Sequence, residues 1–312
     1  MTPISRSRKA LGTLLVATAG ICASHTAAAA WEIAPRLALQ WAMSDTTESV
    51  YNPNGGKLSE LQWGLDRVLQ IDLGLTVQPV EWLRLNVDYA MPIEDGDADM
   101  TDTDWFDPYG EWTHQSYHDD TVITKANQFD ANAQFAVAAV GPVLFTAGLG
   151  YRIDDWEWEA SGGTYVYSVD GFRDSVGEFQ DSGPGVTYGY KYSSFYMSLG
   201  AQAEVSSFVF AGRVLYGPET SIETEDTHHQ RGLIFTEDFD DTTMFSVELG
   251  AAWRFDERLT FYGDYAYTQY NEAKGPTTIT DMYTGEQYLE AGSKGAIENN
   301  SNVFSIGVSY RF

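Results

Sequence analysis

The sequence predicts an all-β chain: a ten-stranded antiparallel transmembrane β-barrel with long extracellular loops. Three observations carry that expectation. First, side chains alternate between apolar and polar with period two, as they do along strands. Phe245, Val247, Leu249, Ala251, Trp253 and Phe255 fall on one face, against Ser246, Glu248, Gly250 and Arg254 on the other. Second, from residue 31 onward no uncharged apolar run reaches 18 residues, so a helical span is excluded. Third, the polar faces carry charges and glycines, while aromatics gather near strand ends: Trp31, Trp41, Trp63, Trp82, Trp253, Tyr262 and Tyr310. That is the girdle of a barrel with its apolar face to lipid and its polar face to the lumen. A soluble β-sandwich also alternates, but its apolar faces meet each other.

In chain order, residues 1–30 have the three parts of a secretory signal. Arg6, Arg8 and Lys9 form a basic start, Ala10 to Cys22 a short apolar run, and Ala27 to Ala30 a cleavage site. The mature chain is then expected to begin near Trp31, as one barrel domain over 31–312. Strands are expected near 31–43, 58–77, 82–91, 127–139, 143–160, 187–204, 207–217, 243–255, 259–271 and 301–312. In the second, every odd position from Leu61 to Val77 except Arg67 is apolar, which reads as one continuous face. The last ends on an aromatic face, Phe304 to Phe312. Ten is an even number, as a single-chain bacterial barrel requires. Short turns fall at Gln78–Glu81, Val140–Pro142, Val205–Ser206 and Asp256–Glu257, and are expected to face the periplasm. Long connections at 44–57, 92–126, 161–186, 218–242 and 272–300 are expected to face outside. Ten strands enclose little free space, so a general porin is not expected.

The formal charge is −27, and removing the three signal bases takes it to −30. Nothing here would neutralise phosphates, so nucleic acid is excluded as a partner. A cationic partner suits the charge. The single cysteine, Cys22, leaves with the signal, so the mature chain has no disulfide.

After residue 30 the histidines are His114, His118, His228 and His229, all in the second and fourth long connections. Both connections are strongly acidic. The run beginning Asp95-x-Asp97-x-Asp99 opens like an EF-hand, but its sixth residue is Met100 and its twelfth Phe106. A calcium loop needs Gly and Glu there. Two patterns remain, Asp102-x-Asp104 and Asp226-x-His228. In extended chain, residues two apart point the same way, so each pair can face inward over the barrel mouth. A carboxylate beside a histidine fixes its tautomer and raises its basicity, and two nearby carboxylates can hold a water. Such a set can activate water without metal or covalent intermediate. Composition alone leaves three readings: a solvated or cation-binding acidic loop, a transition-metal site, or catalysis. Ser116 has no dedicated partner by spacing.

Several stretches resemble the omptins, outer-membrane endopeptidases of Gram-negative bacteria. They are TESVYNPNGGKLSELQW (47–63), MTDTDWFD (100–107), WTHQSYHDDT (112–121), GGTYVYSVDGFRD (162–174), GYK (189–191) and EDTHH (225–229). The resemblance runs from about Glu48 to Phe312. It implies a ten-stranded barrel projecting beyond the membrane, in the outer membrane with its active site outside. It implies an Asp–His dyad at Asp226 and His228 and an aspartate couple at Asp102 and Asp104, with no metal or organic cofactor. In this reading His228, oriented by Asp226, takes a proton from a water lying between it and the couple. The hydroxide attacks a peptide carbonyl, and the leaving amine recovers the proton.

The implied substrates are cationic peptides or proteins with basic residues around the cut bond, the expected one being the residue before it. Glu48 matches an acid lining the pocket for that residue. Thr224 and His114 depart from the family pattern: each stands where many members have an acid, Thr224 in the same pocket and His114 facing the residue after the cut. Many omptins also require lipopolysaccharide. Tyr151 matches the start of that lipid A contact, whereas Ile153, Asp155 and Ser193 do not retain it, so either the usual lipid A contact is not used or the host makes a lipid A with different head groups. The alternative is a non-catalytic barrel of the same type, an adhesin or cation-binding surface protein. A metal-dependent hydrolase would lose activity in chelator.

Overall fold

The computed structural model describes residues 31–106, 110–180, 183–289 and 292–312. Residues 1–30, with the expected signal, its cleavage site and Cys22, lie outside the described residues. The described strands are β1 (Glu32–Tyr51), β2 (Lys57–Val80), β3 (Leu83–Pro92), β4 (Gly96–Asp104), β5 (His114–Val140), β6 (Val143–Ser161), β7 (Thr164–Tyr167), β8 (Ser175–Glu178), β9 (Pro184–Val205), β10 (Phe208–His228), β11 (Leu233–Arg254), β12 (Leu259–Gly275), β13 (Thr278–Asp281), β14 (Gln287–Leu289) and β15 (Lys294–Tyr310).

Ten of them close a ring in the order β1-β2-β3-β5-β6-β9-β10-β11-β12-β15, with β15 pairing back to β1. Closure gives each of these ten a partner on both sides, which a sheet in lipid needs. β4 takes the place of β3 higher up, between β2 and β5. β13 likewise pairs with β11 beyond the end of β12. The Phe312 amide donates to the Ile33 carbonyl at 3.0 Å, which seats the chain end at the rim that carries the short turns.

The strands run well past the sequence-expected ends. Much of what read as the connections 44–57, 92–126 and 218–242 is strand. The reason is an inversion of the barrel wall. In the lower part Leu37, Leu73, Leu75, Leu149, Leu199, Leu249 and Ile306 are exposed on the outside, while Arg36, Asp88, Asp130, Arg152 and Arg213 line a cavity of about 490 Å³ within. Arg36 pairs there with Asp88, and Arg213 with Glu248. Higher up the faces exchange. Leu61, Trp63, Trp156, Trp158, Tyr188, Tyr190 and Tyr192 fill the interior, while Gln62, Asp66, Glu223 and Glu225 face water.

β2 shows how the exchange is made. Its pairing with β1 slips between Ala42 and Ser44, where Asp66 and Arg67 oppose one residue. One extra residue turns every later side chain to the other face. Leu61, Trp63 and Leu65 therefore point inward, whereas below the bulge Val68, Gln70 and Asp72 do. The single apolar face expected over 61–77 is two half-faces of opposite sense. The girdle is corrected for the same reason. Trp31, Trp82, Trp253 and Tyr310 are exposed near the short-turn end, but Trp63 is 1% exposed inside the upper barrel, and Tyr262 lines the lower cavity.

The interior rings form a floor. Tyr192 stacks on Tyr270 at 4.0 Å, and Trp63 on Tyr188 at 5.4 Å, with Trp158 tilted against Trp63. Burying a side chain of this kind contributes about 1.5–3 kcal/mol, so the layer is a rigid base for what lies above it.

Candidate functional site

Above that floor the two acidic stretches meet. Asp102 and Asp104 are the last inward residues of β4. There Asp102 pairs with Leu61 of β2 and Ser116 of β5, and Asp104 with Ser59 and His114. Asp226 and His228 end β10, opposite Tyr188 and Val186 of β9 and opposite Phe235 and Leu233 of β11. Neither strand end has alternating apolar residues to announce it, because water bathes one face and the site occupies the other.

Asp226 is 3% exposed, and its Oδ2 lies 2.7 Å from His228 Nε2. The imidazole rests edge-on against Phe235 at 5.3 Å. Nε2 is thus engaged, and Nδ1 is the nitrogen left for a reacting partner. Across the cleft, burial pushes the Asp102 carboxyl up to about 7, and the charges of Asp104 and Asp226 add to the rise. His228 and Ser59 oppose it. Asp104 is raised as well, chiefly by burial, and Ser59, His114, Arg231 and His228 oppose that rise. The same imidazole therefore acts on both carboxyl groups, and with Asp102 near 7 the couple holds a proton close to neutrality.

Glu48 of β1 is 7% exposed and opposes Leu61 in register, two strands from Asp102. Burial, then the charges of Asp226, Glu237 and Asp102, hold its carboxyl well above the usual carboxylate range. Thr224 is also buried, and its hydroxyl donates to Glu237 Oε2. Thr277 donates to Glu237 Oε1 at 2.8 Å. The backbone makes room for this acid: a Cβ at Gly295 would sit 2.6 Å from Glu237 Oε1. Beside Thr224, where the resemblance leaves no acid, the next strand places the Glu237 carboxylate. The sequence holds a signal for it only in retrospect, since Glu237 and Phe239 alternate inward on β11.

His114 stands beside the couple, its ring between Phe106 at 5.4 Å and Tyr167 at 4.9 Å. Tyr167, not singled out by the sequence, has its phenol pushed up to about 12 by burial first and then by the nearby charges of Asp102 and Asp104. His118 is not in the dyad; its Nε2 lies 3.0 Å from Ser116 Oγ and its ring stacks on Phe179. His229 lies 2.8 Å from Thr187 Oγ1. Among the described residues no group of three or more His, Cys, Asp or Glu is arranged to hold a metal ion. On the outer wall Asp155 pairs with Lys125 at 2.7 Å, and Tyr151 packs on Phe195 at 4.6 Å.

Fold and site together define a class: a transmembrane β-barrel whose raised end holds a cleft of facing carboxyl groups and one carboxylate-bound imidazole. The chain belongs to the omptin family, which it matches over residues 31–312. It is 25% identical over 273 residues to the plasminogen activator of Yersinia pestis, covering 85% of each chain. It is 26% identical over 273 residues to the outer membrane protease OmpP of Escherichia coli strain K12, covering 86% of each. The crystal structure of the outer membrane protease OmpT from Escherichia coli superposes with a TM-score of 0.83 at 24% identity, covering 90% of this chain and 97% of that one.

Proposed function

We propose that this chain is an outer-membrane endopeptidase, its cleft facing outside, that hydrolyses peptide bonds beside basic residues. The observation that carries the reading is the Asp226–His228 pair at 2.7 Å, set opposite the buried Asp102–Asp104 couple, whose Asp102 carboxyl burial pushes up to about 7. Family membership supports peptidase chemistry, since relatives are named as proteases. A water held between His228 and Asp102/Asp104 loses a proton to His228 Nδ1 as its oxygen attacks the carbonyl carbon. Asp226 stabilises the imidazolium so formed. The proton held by the couple faces the oxygen on which charge develops. His228 then returns its proton to the leaving nitrogen, and the C–N bond breaks.

Basic specificity follows from Glu48 and Glu237. Burial first, and then the charges of Asp226, Glu237 and Asp102, hold the Glu48 carboxyl well above the usual carboxylate range. An arriving guanidinium or ammonium removes the repulsion, so Glu48 ionises and pairs with it. Lipid A is not required in this reading, because Asp155 and Lys125 pair with each other on the wall.

The test is a fluorogenic peptide with one internal Arg–Ala bond, offered to the wild type and to His228→Ala. Cleavage is expected to persist in EDTA and in serine- and cysteine-protease inhibitors. It is expected to fall by about 10² to 10⁴ in the variant, the usual contribution of a general base. Equal cleavage by both proteins would remove His228 from the mechanism.

A further inference from the structure

Asp102 is flanked differently on its two sides. One register row crosses the wall from Glu48 through Leu61 to Asp102, and on through Ser116 to Tyr165 of β7. At about 4.8 Å per strand, the acidic pocket and Tyr165 each lie about 10 Å from the couple, in opposite directions. The far side carries no acid to match Glu48 and Glu237. It carries rings instead.

Those rings form an unbroken series. Phe106 meets His114 at 5.4 Å, His114 meets Tyr167 at 4.9 Å, and Tyr167 stacks on Tyr165 at 4.7 Å. Tyr165 meets Phe179 at 5.0 Å, and Phe179 stacks on His118 at 5.2 Å. Tyr165 lies over Gly177, where a Cβ would come within 2.5 Å of its hydroxyl. Beside the rings is an open cleft of about 580 Å³, lined by Tyr165, Tyr167, Val169 and Phe179 together with the polar Ser175 and Gln180. Gln230, from the turn after His228, lines the same cleft. Val169 is 68% exposed at its mouth. The one carboxylate lining it, Glu178, is exposed.

We propose that this cleft is a specificity subsite for a large apolar or aromatic side chain: the substrate residue across the cut bond from the basic one. The proposal rests on the peptidase reading above. Adjacent residues of an extended peptide point opposite ways. A substrate crossing the couple can therefore send one side chain to the acids and the next to the rings. An aromatic guest gains both burial and offset or edge contacts there, whereas a lysine meets no buried acid and loses hydration. His114, wedged between two rings, belongs to this surface rather than to a cation pocket.

The test uses Arg–Phe, Arg–Leu, Arg–Ala and Arg–Lys peptides, identical elsewhere, with the full-length protein in micelles. Expected is kcat/KM for Arg–Phe and Arg–Leu at least about tenfold above Arg–Ala and Arg–Lys, the usual scale for filling an apolar pocket. Tyr165→Ala and, as a mild exposed change, Val169→Asp are each expected to cut the Phe-to-Ala ratio severalfold. Binding of the same peptides to His228→Ala gives a second reading that does not depend on turnover. Should no peptide be cut, the peptidase reading fails, while a Phe preference in binding that Tyr165→Ala abolishes still upholds the subsite. Arg–Lys equal to or above Arg–Phe in both readings overturns the subsite. So does a Phe preference that neither variant alters.

Discussion

Replacing Asp102 with Asn is expected to stabilise the protein at alkaline pH while disabling it. The Asp102 carboxyl sits at about 7 in the fold against 3.8 when unperturbed, because it is buried and faces Asp104 and Asp226. A raised carboxyl favours the fold in its protonated form. That contribution is complete below the unperturbed value and is lost as pH rises through 7. Three pH units correspond to about 4 kcal/mol at 1.36 kcal/mol per unit. This is an upper bound, since Asp104 takes up part of the shared proton. Asn imitates the protonated acid at every pH, so the variant escapes the penalty. At about 2–4 °C per kcal/mol for a chain of this size, Tm should rise by several degrees at pH 8.5 and stay level at pH 4. The assay is thermal loss of β circular dichroism in micelles, wild type against variant, across that range. A Tm gain of equal size at both pH values would refute the reasoning, because packing rather than ionisation would then be responsible. No gain at pH 8.5 would refute it too.

Further outcomes follow from the same geometry. Because Glu48 must lose a proton to pair with a cation, KM for an arginine substrate is expected to rise as pH falls from neutrality, by up to about tenfold per unit for one proton released. Glu48→Gln should abolish that dependence, and a KM profile unchanged by Glu48→Gln would separate Glu48 from the basic residue. Glu237→Gln is expected to lower kcat/KM for arginine substrates by about tenfold or more, as loss of one partner in a charge-assisted pair does, and to affect neutral substrates less. Protein purified in detergent without lipopolysaccharide is expected to be active, with phosphorylated lipid A changing the rate little. Strong activation on titration would show that the wall around Tyr151 and Asp155 does contact that lipid.

The lower barrel was legible because lipid enforces a strict alternation: Phe245 to Phe255 and Phe304 to Phe312 can face only one way. The upper barrel was not, because water outside and aromatic packing inside reverse the sense of the pattern. The reversal is made by bulges such as Asp66–Arg67, which leave no mark in composition. Trp63 shows the consequence, reading as a membrane girdle residue yet lying in the interior floor. The pairs at 102/104 and 226/228 were legible as i,i+2 sets, but only long-range pairing places them across one cleft. Glu237 was hidden because its role depends on Thr224 and Thr277, from two other segments. The ring series was hidden likewise, since Phe106, His114, Tyr167 and Phe179 come from four separate segments of chain.

The central claim is that the couple on β4 and the dyad on β10 act on one water. A double-mutant cycle in kcat/KM between Asp102→Asn and His228→Ala, on the Arg–Ala peptide, tests it most directly. Groups that act as a unit are strongly non-additive. The double variant is therefore expected to be within about tenfold of the poorer single variant. Losses that multiply in full would contradict the account, for the two sets would then be working independently.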